Sequence, residues 1–123
     1  MKRLVTAILL LALIVSVSCL SLYLLERDLG EIRDFAGELQ ADTAPEELEA
    51  KSKEFLRLWN EKEKLLVIFL RHDILDELTV RVAELPSLAR NREYGLFYSG
   101  VDSIQARLED LLDSVRPSYR NLL

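Results

Sequence analysis

His72 is the only histidine in this 123-residue chain, and Asp76 follows it at a spacing of four. On a helix that spacing puts both side chains on one face, so an imidazole and a carboxylate can approach the same ion. A metal site needs at least one further ligand, and a catalytic one also needs an open position. No second histidine or HExxH pair supplies it, and Cys19, the only cysteine, sits in an apolar run. The plainer reading places His72 beside a stripe of Leu65, Phe69, Leu75 and Thr79, hydrogen-bonded at a helix interface. A pH switch is the third reading. A second group of carboxylates, Glu31, Asp34 and Glu38 followed by Glu46, Glu47 and Glu49, attracts divalent cations in principle, but the spacing matches no calcium loop. No GxSxG elbow accompanies these residues, and Gly30, Gly37, Gly95 and Gly100 form no phosphate-cradling loop. The sequence therefore calls for no catalytic residue, cofactor or metal.

Three aromatic positions remain. Trp59, on the side of Phe55 and Leu66, reads as a core anchor, or as a partner contact if exposed. Tyr94, Phe97 and Tyr98 read in the same order, core first and interface second. Trp59, Phe69, His72, Asp76 and Tyr98 are the candidate interface or structural residues.

The elements that position them begin with a 22-residue run without charge, Leu4 to Leu25, preceded by Lys2 and Arg3. About 20 apolar residues at 1.5 Å rise cover the roughly 30 Å hydrocarbon core of a bilayer. Three fates compete for residues 1–25. The first is a single-pass anchor with its basic end in the cytoplasm. The second is a signal peptide cut after the small residues Ser16 and Ser18. The third is a lipoprotein signal modified at Cys19. All three put residues 26–123 outside the cytoplasm, and the anchor is the favoured one.

The net charge of −5 is uneven. Residues 26–50 carry nine acids against Arg27 and Arg33, whereas residues 51–123 balance. An acidic collar behind the apolar run is repelled by anionic headgroups and by phosphates, which argues against nucleic acid as a partner. The bilayer, through residues 4–25, is one expected partner. The other is a membrane protein or a second copy of the chain.

Helical periodicity runs through the remainder, giving an all-α chain in which the membrane helix continues into a small antiparallel hairpin or bundle of two long helices. In the first helix, reaching to about residue 40, Leu29, Ile32, Phe35 or Ala36, and Leu39 form one stripe, with Gly30 and Gly37 as weak points. Ala41 to Pro45 reads as a stop and restart, Asp42 or Thr43 capping the next helix. The second helix, from about 44 to 85, carries Leu48, Phe55, Leu58, Trp59, Leu65, Leu66, Ile68, Phe69, Leu75, Leu78, Val82 and Leu85, until Pro86 ends or kinks it. Glu49–Lys53 and Glu77–Arg81 are i,i+4 pairs on its outer face. The third runs from Tyr94 to Val115, where Arg116-Pro117 stops it.

A continuous second helix is about 63 Å long, against about 22 Å of first helix beyond Leu25. Pairing along its whole length drags Lys62, Lys64 and Arg71 to bilayer depth, which is costly. An anchored chain is therefore expected to bend near Gly30 or in the 40–45 turn.

The layout resembles a small family of bacterial membrane proteins, domain of unknown function 4363. The resemblance rests on the basic start and apolar segment, on Trp59-Asn60-Glu61-Lys62-Glu63-Lys64, on Phe69-Leu70-Arg71-His72-Asp73-Ile74-Leu75-Asp76, and on the closing Asn121-Leu122-Leu123. Pro86 and the Gly95/Gly100 pair depart from that pattern. The resemblance implies a membrane location in Gram-positive-type bacteria and carries over no activity or catalytic residue. The expected role is a non-enzymatic interaction or accessory module. The alternative is an extracytoplasmic sensor or small-ligand-binding bundle with a pocket near His72 and Tyr98.

Overall fold

The computed structural model describes the backbone of residues 1–41 and 43–121, and the side chains through Val115 except that of Asp42. Asp42, one of the two caps expected for the second helix, and the Leu122-Leu123 pair lie outside the described residues. Among the described residues there are four α-helices and no strand: α1 (Lys2–Ala41), α2 (Leu48–Phe69), α3 (His72–Arg90) and α4 (Tyr94–Asn121), with a 3₁₀ turn at Pro45–Glu47.

The expected second helix is two helices. α2 closes with the Leu70 N–H donating to the Leu66 carbonyl (2.9 Å). Leu70 (φ −116°, ψ 164°) and Arg71 (φ −67°, ψ 131°) are extended, and α3 starts at His72. Residues 65–70 are all apolar, including β-branched Val67 and Ile68, so this stretch has no polar face to keep a single amphipathic helix in phase. Asp73 then suits the positive end of a new helix, and Arg71 pairs with it at 2.9 Å.

Prolines end less than expected. Pro86 lies inside α3 with its ring buried, so one missing backbone hydrogen bond near the helix end is offset by apolar burial. Likewise α4 continues past Arg116-Pro117 to Asn121, because the bias against helix before proline is not a prohibition. Thr43 closes the first helix instead of capping the next, its hydroxyl donating to the Glu38 carbonyl at 2.8 Å.

α3 ends in a Schellman motif: the Glu93 N–H donates to the Leu88 carbonyl (2.9 Å) and the Arg92 N–H to that of Ala89 (3.2 Å). This puts Arg92 in the left-handed region at φ 58°, a conformation that costs a residue with a Cβ about 1 kcal/mol. Arg92→Gly should therefore raise stability by about 0.5–1 kcal/mol, net of the extra chain entropy of glycine when unfolded, as read by urea denaturation of the intact chain.

Each helix packs antiparallel on its neighbours in sequence, and α4 returns to α1, closing a four-helix ring. Cross-helix contacts set the register. Lys62 meets Asp28 and Phe55 meets Phe35 between α1 and α2, and the Trp59 indole donates to Thr79 between α2 and α3. Arg107 meets Glu77 between α3 and α4, while Arg33 meets Glu109 and Gln40 meets Asp102 between α1 and α4. The core takes Leu29, Ile32, Ala36 and Leu39 from α1, Phe55, Trp59 and Leu66 from α2, Leu75, Leu78 and Val82 from α3, and Phe97, Ile104 and Leu108 from α4. Phe35 stays half-buried at the edge, its ring 5.4 Å from that of Phe55.

Of the two places expected for a bend in an anchored chain, Gly30 carries none, and the 40–45 turn folds α2 back onto α1 instead of letting it recline. α1 runs through Gly30 and Gly37 to Ala41 without interruption, and the other helices dock on its second half. The two-residue break at Leu70-Arg71 removes the length mismatch instead, because α2 turns back where α1 leaves its apolar run.

Candidate functional site

α1 has two halves of different character. Residues 4–20 are exposed and uncharged, and from Leu25 onward the helix supplies one wall of the core. It is the one helix among the described residues long and apolar enough to cross a membrane.

Just past that transition sits the most buried charge among the described residues. Asp28 is 3% exposed, and its carboxylate accepts from the Lys62 ammonium at 3.0 Å. Glu31 meets the same ammonium at 3.2 Å, and Arg27 flanks Asp28 at 3.7 Å. Hydrogen bonding to Asp28, opposed by partial burial and reinforced by Glu31, raises the Lys62 pKa above its ordinary value. The cluster holds α1 against α2, and no reacting group faces it. Nothing in the periodicity of the helix that carries Lys62 points to this pairing. Its partners lie 31 and 34 residues away, so only the fold reveals them.

The candidates separate. Trp59 is fully buried, its indole N–H donating to the Thr79 hydroxyl at 2.8 Å. Thr79 in turn donates to the Leu75 carbonyl at 2.9 Å. Phe69 is half-exposed at the end of α2. His72 and Asp76 are exposed in the first turns of α3, away from the helix interface expected for His72. Tyr98 is half-buried near the start of α4, edge-on to Phe97 with ring centroids 5.5 Å apart.

The antiparallel register of α3 and α4 places His72 level with Leu112. Tyr98 is 14 residues away along α4, about 21 Å. The two ends of the bundle thus hold the two residues that a sensor pocket was expected to share, and neither lines the groove of about 360 Å³ beside the α2–α3 turn. Among the described residues, no group of three His, Cys, Asp or Glu side chains is placed to hold a metal ion. Because His72 is exposed, His72→Ala should change stability by less than about 0.5 kcal/mol in thermal or urea unfolding. A larger loss would mean that the ring packs in the core.

Two of the concave surfaces lie at the α2–α3 turn. One groove of about 360 Å³ is lined by Phe69, Leu70, Arg71, Ile74, Arg107, Asp110, Leu111 and Ser114. A second, of about 230 Å³, lies between Ser21, Leu22 and Leu25 of α1, Phe69 and Leu70, and Ser114 and Val115 of α4. The α2–α3 turn is therefore where three helices converge beside the apolar half of α1.

No curated protein and no solved structure matches this chain. A family model described as a domain of unknown function (DUF4363) matches residues 25–122. The match begins at the first residue of α1 buried in the core, and it covers the bundle without the exposed apolar half of that helix. The chain belongs to the family of domain of unknown function 4363.

Proposed function

We propose that the chain is a single-pass membrane protein whose helical bundle, outside the cytoplasm, serves as a non-enzymatic interaction or accessory module for another membrane protein. The observation that carries the reading is the continuity of α1: one 40-residue helix is exposed and apolar over its first half and a core element over its second. Lys2 and Arg3 ahead of the run favour a cytoplasmic N-terminus. The acidic stretch after it favours a bundle held off anionic headgroups on that face. The bundle buries most of its own stripe, and among the described residues no buried side-chain N or O atom lacks a partner.

The test is isolation of the tagged full-length protein from gently solubilised native membranes, with intact-mass analysis of the same sample. One recurrent membrane protein at fixed stoichiometry, with residues 1–25 retained, is the expected result. A chain cut within residues 1–25 or lipidated at Cys19, and free of any partner, would overturn it. The small-ligand-binding alternative would then take precedence, using the groove at Phe69–Arg71 instead of the separated His72 and Tyr98.

A further inference from the structure

We infer that the α2–α3 turn is a second membrane contact, with Ile68 and Phe69 seated in the headgroup–acyl boundary beside the span. The inference rests on the reading of α1 as a bilayer span.

Three observations converge on this turn. The first is apolar exposure. Ile68 is 70% exposed, Phe69 48% and Leu65 36%, while the rest of the α2 stripe is covered by the other helices. Among the described residues beyond α1, the other large exposed apolar residues are Val80 and Leu96, which lie away from this turn.

The second is height. From the Lys62–Asp28 pair, seven further residues along antiparallel helices bring Phe69 level with Ser21, and both residues line the same cavity. Glu26 is the first charge after the apolar run, so the turn reaches about 7 Å (five residues of helix) past it toward the span. An amphipathic element lying in the interface buries its apolar face by about 5–10 Å, the same depth.

The third is the pattern of the flanks. Lys64 is exposed one turn above Ile68, and Arg71 is exposed beside the tip with its charge held by Asp73 at 2.9 Å. Both are long side chains able to lay their stems along apolar surface and return their charge to the headgroups. Tyr23 of α1, 62% exposed, lies within two residues of the same level, where aromatic rings collect at membrane interfaces.

A bilayer satisfies all three observations at once, because exposed apolar residues at the depth of the acyl boundary meet lipid before they meet any protein. The consequence is two-point attachment. The span holds the bundle down and the turn limits how far it can tilt, so the end that carries the α1–α2 and α3–α4 connections stays away from the membrane.

The experiment uses full-length protein with Cys19→Ser, reconstituted in phosphatidylcholine–phosphatidylglycerol vesicles. A polarity-sensitive fluorophore is attached in turn to Ile68→Cys, Ala12→Cys and Leu96→Cys. All three positions are exposed, so the fold is not at risk, and circular dichroism confirms it. Quenching is read with a spin label on the lipid acyl chain near the glycerol backbone, with one deep in the chain, and with aqueous iodide.

The expected result is that the probe at 68 loses most of its emission to the shallow spin label. The probe at 12 should lose it to the deep label, and that at 96 to iodide alone. A probe at 12 quenched by lipid with a probe at 68 quenched only by iodide would overturn the inference and leave the span intact. A probe at 68 shielded from both lipid and iodide would also overturn it, in favour of a protein or second copy covering the turn. Failure of lipid to quench the probe at 12 would remove the span itself, and the inference with it.

Discussion

Trp59→Ala should lower the unfolding free energy of the bundle by about 3–5 kcal/mol, the largest loss expected of any single truncation here. The side chain is fully buried where α1, α2 and α3 meet, so the change removes the largest side chain in the core and leaves a cavity that four short-looped helices cannot readily collapse. Part of the effect is polar and separable. Trp59→Phe keeps much of the ring but removes the N–H that donates to Thr79 at 2.8 Å, and should cost about 1–2 kcal/mol from that bond and the lost volume together. Thr79→Val keeps the indole and strands its N–H, and should cost about 1–3 kcal/mol. A double-mutant cycle by urea unfolding isolates the bond. Non-zero coupling between the two changes is the expected outcome, and strict additivity would mean that the bond contributes nothing.

Lys62→Met comes second. It leaves the Asp28 carboxylate buried with only Arg27, at 3.7 Å, and should cost about 2–4 kcal/mol, the range for stripping one partner from a buried pair, discounted for the partial exposure of Lys62. Adding Asp28→Asn to Lys62→Met should recover most of that loss, because the penalty lies in the stranded charge. The pH dependence follows from the raised pKa of Lys62. A cation favoured by the fold contributes stability in full below its ordinary value of 10.5, and that contribution is lost as pH rises through the higher folded value. Wild-type stability should thus fall on the alkaline side, from about pH 10 upward, by more than that of Lys62→Met. Parallel alkaline curves for the two proteins would show that Lys62 is not the titrating group.

Most of the architecture is legible in periodicity. The stripe Leu29, Ile32, Ala36, Leu39 and the stripe from Phe97 to Val115 are buried as their spacing requires. The reading fails at Leu65 to Leu70. A single helix from 44 to 85 assigns Leu65, Ile68 and Phe69 to the core, and these are the large residues of that stretch left exposed. No glycine or proline marks the break, and the proline that suggested one, Pro86, is absorbed into α3. The information lies instead in a loss of amphipathicity, six apolar residues in a row, which carries no directional signal until the length of α1 beyond Leu25 limits how far α2 can descend. For the site, the separation of His72 from Tyr98 does not depend on that break: it follows from the antiparallel register of α3 and α4, in which Glu77 meets Arg107 and only the fold shows the pairing. The Asp28–Lys62–Glu31 cluster joins residues whose proximity only tertiary register creates.

The unjointed passage of α1 from apolar rod to core wall makes the bundle a stiff lever on whatever holds its other end. Tilts of about 20° are ordinary for helices in bilayers and change with hydrocarbon thickness. With no hinge between Leu25 and Ala41, a change of about 10° in the rod displaces the far end of the bundle by about 4 Å. Under the proposed reading of α1 as a span, local membrane thickness would thereby be converted into the attitude of the distal loops, without any change in the fold.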